Sequence, residues 1–179
     1  MRTAILMTGR GSTMQALLEL ATSLRVSLIV SSKASAPGLF RARRSGIQIL
    51  ILDTKINYEK LNQELKNRGI KKLFLTGFMK IIPASFVSQW KDCIVNIHPS
   101  LLPLYPGLAA FEKSYDEKND LGVTLHSVTA ELDAGPQLQK VRFFEKSKWK
   151  TAPLSLQEAQ YRLSFTEQRL VREIRHLWK

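Results

Sequence analysis

The feature that most constrains the fold is an alternation of short apolar runs with segments of helical spacing through the first half of the chain. Glycine or proline stands at many of the junctions between them. Apolar runs of five or six residues that alternate with helices are typical of parallel strands buried on both faces. The sequence therefore predicts an α/β protein with a Rossmann-like, three-layer fold, in which a mostly parallel sheet carries helices on both faces.

The predicted elements follow from hydrophobic period and from end signals, such as Gly69, which closes a helix. The predicted strands are residues 3–8, 26–31, 47–52, 72–76, 93–97, 123–128 and 137–144. The predicted helices are residues 13–24, 38–45, 58–68, 83–90, 109–117 and 155–177. Ligands in such folds bind beyond the carboxyl ends of the strands, so the residues that follow each strand are the candidates for function.

Length and composition indicate one domain over residues 1–179. A chain of 179 residues with 44% hydrophobic content can bury a full core, and no linker or repeat divides it. The single cysteine, Cys93, excludes an internal disulfide framework, and the sequence contains no metal-binding cluster. No signal peptide and no apolar stretch of membrane-spanning length is present, so we expect a soluble, cytoplasmic protein without a membrane partner.

The formal net charge of +12 favours anionic partners. Such a field attracts small phosphorylated or carboxylated ligands, but it also promotes nonspecific binding to nucleic acid. No basic stripe interleaved with aromatic residues is present, so specific nucleic-acid binding is not expected. The charge alone does not choose between the two kinds of ligand.

An amide and an imidazole stand two residues apart where the strand over residues 93–97 runs out, at Asn96 and His98. If the strand persists through His98, both side chains lie on one face of the sheet. An amide donor beside a group that carries a proton near neutral pH can hold a developing oxyanion and move a proton. The pair points to acyl or formyl transfer, while a solvated turn histidine is the alternative interpretation of His98.

A second group of polar residues follows the strand over residues 123–128, where Glu131 and Asp133 precede Gly135 and Pro136. A tight turn of this composition suits a carboxylate held in a fixed position. An aspartate that faces His98 could orient the ring and raise its pKa. His126 lies on the same strand face as Thr124, either as a support for the site or as a hydrogen-bonded core histidine.

The turn after the first strand contains Gly9, Gly11, Ser12 and Thr13. Glycines at such a position let the backbone approach a phosphate, and the amide groups of the next helix point at it. A dinucleotide fingerprint is excluded, because its third glycine would fall at Met14. A glycine turn capped by Ser12 or Thr13 is the purely structural interpretation.

Taken together, these motifs resemble the folate-dependent formyltransferases. The resemblance rests on residues 96–103 (NIHPSLLP), on Tyr105-Pro106-Gly107, and on His126 and residues 131–136. Within that superfamily, residues 9–16, 38–43 and 75–82 resemble the purine-pathway branch, the phosphoribosylglycinamide formyltransferases. The match is collinear from about residue 3 to residue 140 and implies the three-layer formyltransferase fold.

The resemblance implies the substrates and a role for each site residue. Glycinamide ribonucleotide and folate would be the small-molecule partners, 10-formyltetrahydrofolate the co-substrate with no metal, and the protein a monomer or homodimer. The catalytic residues would be Asn96, His98 and Asp133. Substrate would bind at Gly11, Ser12, Thr13 and Glu167, and folate at Met79, Lys80, Ile81, Ile82, Asn96, Ala130, Glu131, Leu132 and Asp133. Residues 79–82 alone also fit an apolar turn packed into the core, and Glu167 also fits a solvated helix face.

Several positions depart from the family pattern. Leu108 and its neighbours replace the histidines that often follow the Tyr-Pro-Gly turn, and Ala134 replaces a usual glycine. Tyr58 stands where an arginine that contacts folate is common, and Thr13 where asparagine is usual. These departures bear on substrate identity and affinity more than on the chemistry.

Two other functions stay open. The chain could be a formyltransferase for methionyl-tRNA or an amino sugar nucleotide, although it lacks room for a separate tRNA-binding domain after the catalytic fold. It could also be a catalytically silent αβ domain that binds nucleic acid or another anion. Tight, sequence-indifferent RNA binding without formyl transfer would favour the silent domain.

Overall fold

The predicted alternation of strands and helices is present. The computed structural model describes residues 1–19 and 25–173. The strands are β1 (Arg2–Met7), β2 (Arg25–Ser31), β3 (Gln48–Ile51), β4 (Lys72–Thr76), β5 (Ile94–His98), β6 (Leu121–Ser127) and β7 (Gln137–Phe144). The α-helices are α1 (Ser12–Glu19), α2 (Gly38–Arg44), α3 (Tyr58–Asn67), α4 (Ala84–Gln89), α5 (Ala110–Asp116) and α6 (Leu156–Glu173).

The seven strands form one sheet in the order β3-β2-β1-β4-β5-β6-β7. The five strands from β3 to β5 are parallel, while β6 and β7 pair antiparallel to their neighbours. The order reverses at β1, which has β2 on one side and β4 on the other. This is the topological switch point at which doubly wound sheets bind ligands, and the predicted Rossmann-like, mostly parallel fold is confirmed.

Both faces of the central strands are buried, which explains their continuous apolar runs. Along β1, Ile5 and Met7 face one layer of core side chains, and Ala4 and Leu6 face the other. Helices α1, α2 and α6 cover the first face, while α3 and α4 cover the second. All four of these β1 side chains are completely inaccessible to solvent, and they fix the position of the loop that follows.

The helix ends follow the expected local chemistry. Asn57 caps α3 by accepting a hydrogen bond from the Lys60 amide at 2.9 Å. Gly69, at φ +67°, then ends the helix, and the Ile70 amide donates back to the Leu65 carbonyl. This is the termination that the sequence predicted.

Most boundaries in the described ranges differ from prediction by one residue, and β6 begins two residues early. Strand β5 runs one residue further, through His98, and β6 begins at Leu121 instead of residue 123 because its pairing with β7 starts there. A short 3₁₀ helix at Lys146–Trp149 was not predicted; Trp149 packs there against Phe144. Of the predicted helices over 13–24 and 155–177, residues 20–24 and 174–177 lie outside the described residues.

Within the described ranges, no helix combines the length and apolar character that a bilayer crossing requires. The same ranges contain no cluster of three or more histidine, cysteine or acidic side chains suited to a metal ion.

Candidate active site

Asn96 and His98 lie on β5, and His126 lies on the neighbouring antiparallel strand β6. In the β5–β6 ladder, Asn96 is directly opposite His126, and His98 is opposite Thr124. Residues that face each other across a ladder lie on the same side of the sheet. The expectation that Asn96 and His98 share one face is therefore confirmed, because β5 persists through His98.

His126 is held as a neutral acceptor for Asn96. Its Nδ1 lies 3.0 Å from the Ser127 carbonyl oxygen, which can only accept, so Nδ1 carries the proton. Nε2 is then free to accept a hydrogen bond from Asn96 Nδ2 at 3.1 Å. Burial lowers the pKa of His126 against the raising effect of the Asp133 carboxylate, which favours this neutral form. Of the two interpretations of His126, support of the site is the one that the geometry favours.

His98 is enclosed between two acceptors. Its Nε2 donates to the Tyr105 carbonyl oxygen at 2.9 Å, and its Nδ1 lies 3.4 Å from Asp133 Oδ2. A doubly protonated ring satisfies both neighbours at once, since neither can donate. His98 is only 4% exposed, so its interpretation as a solvated turn residue is wrong.

Asp133 closes the cluster from the loop between β6 and β7. Its Oδ2 accepts the Gly107 amide at 2.7 Å, and its Oδ1 lies 3.5 Å from His126 Nε2. The backbone at Asp133 is left-handed, with φ +51°. At Gly135, a Cβ would overlap the Ser127 carbonyl, so only glycine allows this turn to fold back over β6.

The loop between β5 and α5 supplies two contacts that sequence analysis did not find. Tyr105 offers its carbonyl to His98, and its phenol donates to Glu117 at 2.6 Å while accepting from Asn119 at 2.8 Å. Gly107 offers its amide to Asp133. The only signal for these contacts in the sequence is the Tyr-Pro-Gly turn, which needs the positive φ of +83° found at Gly107.

The glycine turn after β1 lies beside the first turn of α1. Gly11 has φ +71°, and a Cβ there would come within 3.0 Å of the Gly38 Cα, at the start of α2. Helix α1 begins at Ser12, and the first amides of a helix have no partner within it. The turn geometry and the helix start at Gly11, Ser12 and Thr13 are those that the prediction of a phosphate site requires.

The Thr13 side chain contacts helix α6. Its hydroxyl donates to Glu167 Oε2 at 2.7 Å, which joins the first turn of α1 to α6. Glu167 is partly buried in this contact, so the fully solvated interpretation of this residue is wrong. Burial raises the pKa of Glu167 to about 7, although the hydrogen bond from Thr13 lowers it.

The segment after β4 is exposed and lies beside the switch point. Met79 is 59% exposed and Ile81 is 76% exposed, so these side chains do not form the apolar core turn that was the alternative. Lys80 is exposed as well, whereas Ile82 packs partly against the core. The Met79 amide donates to Thr8 Oγ1 at 3.0 Å, which ties the segment to the end of β1.

Tyr58 also holds residues 79–82 in place. Its phenol donates to the Ile81 carbonyl at 2.8 Å, and its ring meets the Phe86 ring edge-on at 5.4 Å between centroids. Burial raises the pKa of the phenol, so it stays a protonated donor at neutral pH. The residue that replaces a common family arginine thus supports the backbone of residues 79–82.

The loop over residues 130–134 presents mostly exposed residues next to Asp133. Ala130, Glu131 and Leu132 are all exposed, with Leu132 at 58%. Leu108, which stands where a family histidine is common, is also 62% exposed. Large apolar side chains left open in this way around a polar cluster are a usual sign of a ligand surface.

The structure brings the predicted residues together in two groups along one edge of the sheet. Asn96, His98 and Asp133 form a connected cluster with His126, while Thr13 and Glu167 meet beside the glycine turn. Strands β1 and β5 are separated only by β4, so the end of β1, which leads into the glycine turn, lies about 10 Å from β5. The arrangement lies near the switch point and joins an amide, two imidazoles and a carboxylate through a chain of contacts, from Asn96 to His126 to Asp133 to His98.

Comparison with known proteins gives the family of this site. The formyl transferase domain model matches residues 1–151, and the chain belongs to that family. Phosphoribosylglycinamide formyltransferase of Escherichia coli is 34% identical over 153 residues, which cover 79% of this chain and 72% of that protein. The human trifunctional purine biosynthetic protein adenosine-3 is 33% identical over 145 residues, which cover 75% of this chain but only 14% of the much longer protein.

Solved structures show the same fold. The phosphoribosylglycinamide formyltransferase from Streptococcus pneumoniae superposes with a TM-score of 0.88 at 26% identity, covering 99% of both chains. The enzyme of that name from Anaplasma phagocytophilum gives a TM-score of 0.86 at 33% identity, covering 94% of this chain and 81% of its own. The three-layer formyltransferase fold implied by the sequence motifs is therefore confirmed.

Proposed function

We propose that this chain transfers the formyl group of 10-formyltetrahydrofolate to the amine of glycinamide ribonucleotide, a step of purine biosynthesis. The observation that carries the proposal is the connected cluster of Asn96, His126, Asp133 and His98. The names of the relatives support the choice of acceptor. One catalytic domain over residues 1–179 belongs to the same proposal.

Asn96 acts as an oxyanion donor. An amide nitrogen carries two protons, and the neutral form of His126 accepts one of them. The second remains to donate to the formyl oxygen as negative charge develops there. Because His126 can accept but not donate at Nε2, the amide cannot turn its oxygen towards the histidine and lose this orientation.

His98 stabilises the negative charge that develops on the formyl oxygen, and Asp133 positions the water that moves the amine proton. The amine nitrogen attacks the formyl carbon, a C–N bond forms, and the former carbonyl oxygen becomes an oxyanion beside the His98 ring. Asp133 faces Nδ1 of that ring and orients a water molecule, which takes the amine proton and delivers it to N10 of the folate. The bond from the formyl carbon to N10 then breaks, which releases tetrahydrofolate and the formylated amide.

The remaining predicted residues hold the two substrates on either side of this cluster. The backbone amides at Gly11, Ser12 and Thr13 bind the phosphate, and Glu167 accepts from the ribose hydroxyls. Residues 79–82 and 130–133 line the pterin pocket. Their exposed apolar side chains and tethered backbone, described above, support this placement.

The positive charge is concentrated where a phosphorylated substrate would approach. Arg10 in the glycine turn and Arg41 and Arg44 of α2 line one groove beside the glycine turn, together with one acidic residue, Glu19. An excess of positive charge in a cleft raises the local concentration of anionic ligands. The +12 charge is thus consistent with capture of the ribonucleotide and of polyanionic folate.

An absorbance assay of folate deformylation tests the proposal, with 10-formyl-5,8-dideazafolate as donor and with or without glycinamide ribonucleotide. We expect turnover that depends on the amine and is abolished in Asp133→Asn. Folate binding without amine-dependent turnover would contradict the proposed acceptor. Tight RNA binding with no folate binding would favour the silent domain instead.

A further inference from the structure

The contact between Thr13 and Glu167 has a role beyond holding two helices together. Thr13 Oγ1 donates to only one of the two carboxylate oxygens, Oε2. Oε1 has no hydrogen-bond partner among the described residues. A carboxylate anchored at one oxygen presents the other in a fixed direction, and this is the preorganisation that a hydroxyl donor needs.

Two further hydrogen bonds involve the face of α6 that carries Glu167. Ser164 Oγ donates to Ser12 Oγ at 3.4 Å, and Gln168 donates to Ser164 Oγ at 3.1 Å. Ser164, Glu167 and Gln168 are spaced three and four residues apart, so they form one polar stripe on the helix. That stripe lies against the first turn of α1, whose backbone forms the candidate phosphate site.

We propose that Thr13 is a positioning residue, whose hydroxyl orients the Glu167 carboxylate towards the ribose hydroxyls of the substrate. The inference rests on the proposed function for the identity of that substrate. It assigns the Thr13 side chain a task separate from the phosphate contact of its backbone.

Among residues 1–19 and 25–173, the charged side chains around Glu167 are paired with other groups. Burial and the Thr13 hydrogen bond are the effects that set the pKa of this carboxyl. The other charged side chains on α6, α1 and β7 in the described ranges are engaged with other groups: Glu19 with Arg172, Arg162 with Glu158, Arg169 with Glu173, Arg142 with Asp120, and Lys140 with the Leu102 carbonyl. On β6, His126 faces the catalytic cluster.

Thr13→Val removes the hydroxyl and keeps the shape of the side chain, while Thr13→Ser keeps the hydroxyl. We expect Thr13→Val to raise the KM for glycinamide ribonucleotide about 10-fold, since a hydrogen bond to a charged group is lost. The KM for folate should stay unchanged, and Thr13→Ser should resemble the unaltered protein. The pKa of Glu167 that appears in the pH dependence of ribonucleotide binding should be higher in Thr13→Val, because the Thr13 hydrogen bond lowers it in the unaltered protein. If Thr13 had a purely structural role, the pKa seen in ribonucleotide binding would not change.

A double variant gives the sharpest comparison. If Thr13 acts through Glu167, adding Thr13→Val to Glu167→Ala, which has no acceptor for the Thr13 hydroxyl, should weaken ribonucleotide binding much less than it does in the unaltered protein. Equal losses in both backgrounds would overturn the inference. Thr13→Ala removes the same hydroxyl without β-branching and replaces Thr13→Val if that variant does not fold.

Calorimetric binding of ribose 5-phosphate separates this inference from the proposed function. If the unaltered protein transfers no formyl group but binds ribose 5-phosphate in a Thr13-dependent way, the function falls and the positioning role stands. If Thr13→Val binds ribose 5-phosphate as well as the unaltered protein does, or if the unaltered protein does not bind it, the positioning role is overturned.

Discussion

The two halves of the candidate site are built from different parts of the chain. At β5 and β6, four side chains contact one another directly: Asn96, His98, His126 and Asp133. At β1, the proposed anion site is made mainly of backbone, and the strongest side-chain contact beside it joins Thr13 to Glu167. A cluster of side chains depends on residue identity, whereas a backbone site depends on local conformation.

This difference decides which substitutions should be severe. Replacing a side chain in the β5–β6 cluster removes a chemical group and also leaves its partners unsatisfied. Near β1, most substitutions that preserve the turn leave the amides in place. Substitutions in each half therefore test this contrast.

Asn96→Ala and His98→Ala should each lower kcat about 100-fold to 1000-fold, the usual cost of losing an oxyanion donor. The measurement is the formyl-transfer assay with saturating donor and amine. Asn67→Ala, at an exposed position at the end of α3, is the matched control and should be near normal. Near-normal turnover of both cluster variants, with unchanged thermal unfolding, would show that the cluster is not catalytic.

Glu167→Gln should stabilise the fold at alkaline pH while it weakens substrate binding. The folded pKa of about 7 lies above the ordinary value of 4.5, so stability falls as pH rises from 4.5 through 7. Glutamine does not ionise, so it avoids the free-energy cost of a buried carboxylate, and its amide oxygen can still accept a hydrogen bond from Thr13. Its free energy of unfolding at pH 8 should exceed that of the unaltered protein by at most about 3 kcal/mol.

Urea unfolding at pH 4.5 and pH 8 measures this difference. The gain should be present at pH 8 and nearly absent at pH 4.5, where the carboxyl is protonated in the folded chain. A gain of equal size at both values would show that the ionisation of Glu167 is not its cause.

His126→Phe should lower kcat about 10-fold, because Asn96 loses the acceptor that fixes its amide. His126→Gln offers an acceptor again and should recover part of the loss. The lowered pKa of His126 lies below its ordinary value of 6.5. In the unfolded chain His126 has its ordinary pKa and binds a proton first as pH drops. The free energy of unfolding of the unaltered protein should therefore fall as pH drops from 6.5 towards the lowered pKa.

Unfolding of His126→Phe between pH 5 and pH 7 should lack that component of the pH dependence. If kcat falls but the pH dependence of unfolding is unchanged, the pKa of His126 is not lowered by burial. If neither changes, His126 is only a core histidine.

The contrast between the two halves also explains what could be predicted from the sequence. The strands of the central sheet were predicted to within one or two residues, since they are buried on both faces and show long apolar runs. Asn96 and His98 were found because strand period places alternate residues on one face. Their motifs also resemble a known family.

Contacts that depend on loop conformation could not be predicted. Tyr105 acts through its carbonyl and Gly107 through its amide, and backbone groups leave no residue-specific signal. The Thr13–Glu167 contact joins residues 154 positions apart, and no local pattern predicts such a pair. His126 was left with two interpretations because its tautomer depends on the Ser127 carbonyl.

Tyr58→Phe should have the smallest effect of the series. The ring keeps its contact with Phe86, and only the hydrogen bond to the Ile81 carbonyl is lost. We expect the free energy of unfolding to fall by about 1 kcal/mol, kcat to stay normal, and the KM for the folate donor to rise a few-fold. Urea unfolding and the KM of each substrate measure these effects, with Tyr161→Phe, 70% exposed on α6, as control. A change confined to the KM for the ribonucleotide would show that residues 79–82 do not contact folate, and it would place Tyr58 with the β1 half of the site.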